Sequence, residues 1–121
     1  EKNQYGGTIK LGAWKCQVLK GSVVEKAYKK YSPNEISSKN VISERHRHRY
    51  ELNNKYRDIL EKNGLIFSGT SPDGKLIETI ELDKKVHPFF VGTQFHPEYK
   101  SRFLKPHPLF MAFIEVATKL R

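Results

Sequence analysis

The sequence predicts a single α/β domain with a mixed sheet, a β-hairpin and flanking helices. Three observations lead to this prediction: strand-like and helix-like segments follow one another, two apolar runs flank a Ser-Pro-Asp-Gly turn, and 121 residues suffice for one core. The turn makes part of the sheet antiparallel, because an Asp-Gly pair tolerates the positive φ of a tight hairpin. Hydrophobic residues make up 37% of the chain, which favours a folded domain over a disordered one.

Local signals place each element in order. Ser22 is a suitable N-cap for the first helix, and Gly64 stands where a glycine ends the second. The nearly continuous apolar run FFVGTQF is typical of a strand buried on both faces. The predicted elements are a strand at 6–19, a helix at 22–31, a loop at 32–40, a strand at 44–51, a helix at 53–63, a hairpin at 65–82, a strand at 89–95 and a helix at 107–120.

Helical spacing also predicts which side chains of the last two helices are buried. In the helix at 53–63 the expected buried face consists of Tyr56, Ile59 and Leu60. In the helix at 107–120 the expected packing face consists of Phe110, Phe113, Ile114 and Ala117.

Composition limits the functional classes. The net charge of +9 favours an anionic partner such as a nucleotide, nucleic acid or carboxylate. The single cysteine, Cys16, excludes an internal disulfide and fits a reducing compartment. No apolar run is long enough to span a bilayer and no signal peptide is evident, so we expect a cytoplasmic protein without a membrane partner. The chain begins at Glu1 rather than at a methionine, and we expect it to be a piece of a longer protein.

The segment QFHPE contains a candidate catalytic pair. Pro97 helps to end the preceding strand, and Glu98 is close enough to accept a hydrogen bond from the His96 imidazole. Such a carboxylate fixes the tautomer of the histidine and makes its other ring nitrogen a better base. A strand-end histidine beside a solvated glutamate is the competing, purely structural interpretation.

A base of this kind requires a nucleophile, and Cys16 is the only thiol. It lies in WKCQV, without the small flanking residues of a nucleophile elbow. We therefore predict that Cys16 is a small apolar residue of the core rather than a reactive thiol.

The segment ERHRHRYE, residues 44–51, is open to several interpretations. In an extended chain one face would carry Arg45, Arg47, Arg49 and Glu51, and the opposite face would carry Glu44, His46, His48 and Tyr50. A nucleic-acid surface is disfavoured because the tyrosine points away from the arginines. Two histidines on one face make half of a zinc site. A structural ion-pair network and a binding site for a substrate carboxylate both remain open.

Five segments, in this order, resemble the C-terminal part of the glutaminase domain in the CTP synthase family, a branch of the class I (triad) glutamine amidotransferases. They are GGTIKLGAWKC, ERHRHRYELNN, SGTSPDGKLIETIEL, HPFFVGTQFHPEYKSR and PHPLFMAFI, and together they cover nearly the whole chain. QFHPE is shared by the class, whereas ERHRHRYE and PHPLF are more specific. The resemblance implies a flavodoxin-like fold, with residues 1–121 forming the C-terminal part of the amidotransferase domain and the half that bears the nucleophile absent.

The resemblance also implies roles for individual residues. His96 and Glu98 match the histidine and glutamate of a Cys-His-Glu triad, and Arg49 matches a glutamine-binding position. Arg45 and Arg47 are then expected to support the site, and no metal ligand is implied.

The implied partners extend beyond this segment. They are L-glutamine and an amidoligase domain that uses UTP and ATP with Mg²⁺, within a homo-oligomer, a tetramer, that does not bind nucleic acid. This domain itself needs no cofactor.

Two functions are consistent with the sequence. The first is the glutaminase part of a glutamine-hydrolysing CTP synthase, in which this chain alone is inactive because it lacks the nucleophilic cysteine. The second is a non-catalytic basic module that keeps the fold and binds nucleotides or RNA.

Overall fold

The computed structural model describes residues 9–120, which form one five-stranded sheet with three α-helices. The strands are β1 (Lys10–Val18), β2 (Val41–His48), β3 (Leu65–Thr70), β4 (Ile77–Leu82) and β5 (Val91–Thr93). The α-helices are α1 (Val23–Tyr31), α2 (Arg57–Lys62) and α3 (Pro108–Lys119), with 3₁₀ turns at Pro33–Glu35, Asn54–Tyr56 and Pro97–Tyr99. The predicted α/β class and the predicted order of elements are confirmed. No helix among these residues is both long and apolar enough to cross a bilayer.

The sheet has the strand order β2-β1-β3-β4-β5, and each neighbouring pair is antiparallel. The mixed pairing expected from the sequence is therefore not found within residues 9–120. The hairpin between β3 and β4 is confirmed: Gly74 has a φ of +76°, and its N–H donates to the Ser71 carbonyl. A side chain at that φ would be strained, which explains the glycine at this position.

The sheet is curled, so that its two edges approach each other. After β5, the Gln94 N–H donates to the Glu78 carbonyl on β4 at 2.8 Å. Two residues later, the His96 N–H donates to the Arg45 carbonyl on β2 at 3.0 Å. Two residues of extended chain span at most about 7 Å. The short segment 94–96 therefore connects β4 to the opposite edge strand.

The helix caps agree with the local sequence signals, but not every predicted buried face does. The Ser22 side chain accepts a hydrogen bond from the Glu25 N–H and caps α1, as predicted. Gly64 follows the C-cap of α2 with a φ of +98°, also as predicted. Only the second half of the helix predicted at 53–63 is α-helical, since 54–56 form a 3₁₀ turn.

The predicted buried face of α3 is wrong, and that of the second helix is only partly right, since Leu60 alone of its three residues is half-buried. Tyr56 and Ile59 are more than half exposed, because α2 packs only lightly on β3. In α3 the residues placed on the packing face, Phe110, Phe113, Ile114 and Ala117, are exposed. Leu109 is buried instead, and Ala112 packs against the core. The helix is apolar on several sides, so spacing alone could not identify the face that contacts α1 and the sheet.

The core lies between the sheet and the helices α1 and α3. Its buried members are Cys16, Val18, Val24, Ala27, Tyr28, Ile42, Phe95 and Leu109. The strand predicted at 89–95 is shorter than expected, and the residues of β5 are only half-buried. Phe95 alone of that run is deeply buried, and it anchors the segment that leads to His96.

Candidate active site

The structure brings His96 and Glu98 together as the sequence suggests. His96 Nδ1 lies 2.5 Å from Glu98 Oε1, at the start of the 3₁₀ turn Pro97–Tyr99. The hydrogen bond from His96 holds the pKa of the Glu98 carboxyl below its ordinary value, so the carboxylate accepts and Nδ1 carries the proton. The other ring nitrogen, Nε2, is then the basic one. The imidazole is 36% exposed, and thus accessible to a reacting group.

Tyr99 is a member of the site that sequence reasoning missed. Its ring stacks on the His96 imidazole, with 4.7 Å between the centroids and 11° between the planes. The Arg45 guanidinium lies over the same tyrosine ring at 5.8 Å. Arg45 thus supports the base through an aromatic ring and through the backbone bond to the His96 N–H. A tyrosine three residues after the histidine, on a tight turn, was the available signal.

The alternation predicted for residues 44–51 holds only as far as His48, where β2 ends. Glu44 and His46 are buried, and Arg45 and Arg47 are exposed. Arg49 follows the strand in a bend and is also exposed. Glu51 was predicted to share the arginine face, but the bend turns its carboxyl inward, where the side chain is only 6% exposed.

Buried polar side chains form a cluster beneath this bend, which we call the Lys10 cluster: Lys10, His46, His48, Glu51 and Glu78. Its Lys10 ammonium is hydrogen-bonded to Glu78 and lies 3.8 Å from the Glu51 carboxyl. Burial, and next the charge of Glu78, raise the pKa of Glu51 to about 7.

The same cluster includes a group that could hold a metal ion. Ligand atoms of His46, His48 and Glu78 lie within 4.8 Å of one another. Glu78 thus adds a third ligand to the two histidines, which the sequence could not show because it lies 30 or more residues away. The Lys10 ammonium already neutralises that carboxylate, however, so a metal ion would have to displace it.

A second buried polar group joins the two most specific sequence segments, ERHRHRYE and PHPLF. The Glu44 carboxylate, fully buried, accepts hydrogen bonds from Tyr28 and from His107 Nε2, the latter at 2.8 Å. The His107 Nδ1 accepts the Leu109 N–H at 3.1 Å and caps α3. Because Nδ1 accepts, Nε2 must carry the hydrogen. One imidazole therefore fixes both the helix start and the buried glutamate.

Cys16 is a core residue, as predicted. It has no exposed surface, and burial is the main cause that raises the pKa of its thiol to about 12. A thiol of that pKa forms almost no thiolate at neutral pH. The one cysteine of the chain is therefore unsuited to attack a substrate.

A cleft of about 620 Å³ lies away from the candidate residues. It is lined by residues of β1, α1 and β3, among them Lys29 and Phe67, and by Arg57. His96, Glu98 and Arg49 do not border it, so the chemistry we assign to them concerns a different surface.

Comparison with known proteins agrees with this geometry. The family model for the class I glutamine amidotransferases matches residues 4–116. A CTP synthase from Saccharopolyspora erythraea is 54% identical over 116 residues, which are 96% of this chain and 19% of that protein. One from Rhodococcus jostii is 55% identical over 114 residues, 94% of this chain and 18% of that protein. The chain therefore spans about a fifth of the length of these relatives.

A solved structure agrees as well. The glutaminase domain of Trypanosoma brucei CTPS with bound acivicin matches with a TM-score of 0.79 and 34% identity, over 98% of this chain and 43% of that one. Fold, motifs and relatives lead to one conclusion: the chain belongs to the class I glutamine amidotransferase family.

Proposed function

We propose that the protein containing this chain is a glutamine-hydrolysing CTP synthase and that this segment carries the base of its glutaminase site. The observation that carries the proposal is the His96–Glu98 pair, bonded at 2.5 Å and joined through the His96 backbone to Arg45, the first of three exposed arginines. The two relatives compared above are both named CTP synthase, which supports the choice of this enzyme within the class.

In the proposed reaction His96 is the general base and then the general acid. A cysteine from a part of the protein outside this chain gives its thiol proton to His96 Nε2, and its sulfur attacks the carboxamide carbon of glutamine. The C–N bond breaks, and His96 returns the proton to the departing ammonia. Water then hydrolyses the thioester to glutamate. Glu98 holds the Nδ1–H throughout and stabilises the transient imidazolium.

Arg49 is the proposed binding residue for the α-carboxylate of L-glutamine. A guanidinium donates two parallel hydrogen bonds to a carboxylate, a geometry that an ammonium cannot reproduce. Arg49 is exposed, and no carboxylate within residues 9–120 forms an ion pair with it. It is therefore available to an external anion.

The remaining steps belong to segments outside this chain. We propose that the released ammonia aminates UTP in an amidoligase domain that binds ATP and Mg²⁺, within a cytoplasmic homo-oligomer. We also propose that the 121-residue chain alone releases no glutamate from glutamine, since its only thiol, Cys16, is buried.

The change His96→Ala in the full-length protein tests the proposal. Glutamine-dependent CTP formation should fall by about 10²- to 10⁴-fold, the usual contribution of a general base. CTP formation from added ammonia should remain. A matched control is His87→Ala, an exposed histidine on a different loop. Loss of both activities together, or no loss of the first, would contradict the role of His96.

The change Arg49→Lys tests the carboxylate site separately. Because the charge is kept and the two-pronged geometry is lost, we expect a KM for glutamine raised about tenfold or more. A KM unchanged within twofold would show that Arg49 does not bind the substrate.

A further inference from the structure

Arg49 lies just beyond the part of the backbone that the sheet holds. The pairing of β1 with β2 ends at Lys10 and His48, and the next two residues form an exposed bend. A binding guanidinium must nevertheless be held in a narrow range of positions to be effective. One contact that fixes the bend is a hydrogen bond from the His48 ring to the Tyr50 carbonyl, at 3.0 Å.

The acceptor determines the tautomer of His48. A carbonyl oxygen only accepts, so His48 Nδ1 carries the hydrogen and donates it to Tyr50. Desolvation by burial is the main cause that lowers the pKa of His48, so the ring is neutral and its Nε2 has a free lone pair. That lone pair faces His46 Nδ1 at 2.8 Å.

His46 then has to donate, and its own surroundings agree with this. Its side chain is completely buried on β2, where it packs edge-on against Phe95 at 5.9 Å. Burial lowers the pKa of His46 to about 3, so this ring is neutral too. With the hydrogen on Nδ1, His46 Nε2 is a bare lone pair, and it has no hydrogen-bond partner among the described residues. A buried acceptor without a partner costs less than a buried N–H without one.

We propose that His46 and His48 form a directed hydrogen-bond relay, from His46 Nδ1–H to His48 Nε2 and from His48 Nδ1–H to the Tyr50 carbonyl, which positions Arg49 for the substrate carboxylate. The inference rests on the proposed function of Arg49. His46 lies next to Arg45, whose carbonyl holds the His96 backbone. The binding residue and the base are therefore both positioned by neighbouring residues of β2.

A bound metal ion is the competing use of the same atoms. It would require lone pairs on both His46 Nδ1 and His48 Nε2, whereas the relay requires a hydrogen on the first. It would also leave His46 Nε2–H buried without an acceptor, and Lys10 already neutralises Glu78. The buried polar contacts thus favour the relay.

The test uses two substitutions of His48 in the full-length protein. His48→Ala removes the bond to Tyr50, and we expect the KM for glutamine to rise about tenfold with kcat changed less than threefold. The amide nitrogen of asparagine can take the place of Nδ1, so His48→Asn should restore most of the KM, whereas His48→Gln, whose amide lies farther from the backbone, should not. His87→Ala is the matched control.

Hydrogen exchange of the segment 49–53 provides a readout that does not depend on catalysis. Its amides should exchange faster in His48→Ala and near the wild-type rate in His48→Asn. An unchanged KM with His96→Ala still inactive would overturn the relay and leave the proposed function standing. Retained glutamine-dependent activity in His96→Ala would overturn the proposed function, and the exchange rates would still decide the relay. Stoichiometric zinc in the purified protein, lost in His48→Ala, would replace the relay with a metal site.

Discussion

His107 offers the sharpest test of how the buried polar groups stabilise the fold. The substitution His107→Ala removes two interactions of one ring: the N-cap of α3 and the hydrogen bond to the buried Glu44. Loss of an N-cap costs about 1 kcal/mol. Loss of a hydrogen bond to a buried charged group costs about 1.5 to 3 kcal/mol. We therefore expect a total loss of about 2.5 to 4 kcal/mol in the free energy of unfolding.

A second substitution separates the two contributions. Asparagine is a good N-cap but is too short to reach Glu44, so His107→Asn should keep the cap and lose only the second interaction. We expect it to be less destabilising than alanine by about 1 kcal/mol.

The assay is native-state hydrogen exchange of the amides in the first turns of α3, measured in the full-length protein. A loss of about 3 kcal/mol accelerates exchange roughly a hundredfold where local unfolding controls it. His87→Ala, at an exposed site, should change these rates little. A loss below about 1 kcal/mol for His107→Ala would show that Glu44 gains no stability from this bond. Equal effects of alanine and asparagine would show that the cap contributes nothing.

Three further substitutions test the Lys10 cluster and the sheet. The folded state keeps the proton of Glu51 up to a pKa of about 7, against an ordinary value of 4.5, so ionisation of this group lowers stability as the pH rises through that window. Glu51→Gln should therefore be more stable than wild type above pH 7, by up to about 3 kcal/mol, and similar in stability to wild type near pH 4.5. Thermal unfolding at both pH values measures this, and an equal difference at the two would contradict it. At Gly69 a Cβ would lie 2.5 Å from Thr79 Oγ1 and 2.8 Å from Cys16 Sγ, so Gly69→Ala should destabilise by about 1 to 3 kcal/mol. At Gly92 the nearest atoms belong to the flexible Ile80 side chain, so Gly92→Ala should cost less than Gly69→Ala when both are unfolded in urea, and the reverse order would be inconsistent with these contacts.

Local signals in the sequence were sufficient for the elements they control. The serine cap at Ser22, the glycine after α2 and the Asp-Gly turn each act over a few residues, and each prediction is confirmed. The His96–Glu98 bond also depends on neighbours in the chain, and the structure contains it.

The buried polar groups that the sequence did not reveal depend on distant partners. Tyr28 and His107 are 79 residues apart, and Lys10 and Glu78 are 68 apart, so no local pattern could indicate that Glu44 and Glu78 would be buried. The arginine alternation failed after His48 for the same reason, because the Lys10 cluster attracts Glu51 into the interior. The roles of His96, Glu98 and Arg49 in catalysis and binding stay predictions.

The curl of the sheet has a consequence for self-association. Among residues 9–120, the outer edge of β2 has no full partner strand, only an isolated bridge between Ile36 and Ile42, and exposed edges are common starting points for aggregation. In this fold the His96 N–H occupies the Arg45 carbonyl on that edge. The peptide that carries the base therefore also blocks part of the edge against foreign strands. A substitution that releases the segment 94–96, such as a polar residue at Phe95, would then be expected to reduce solubility as well as activity.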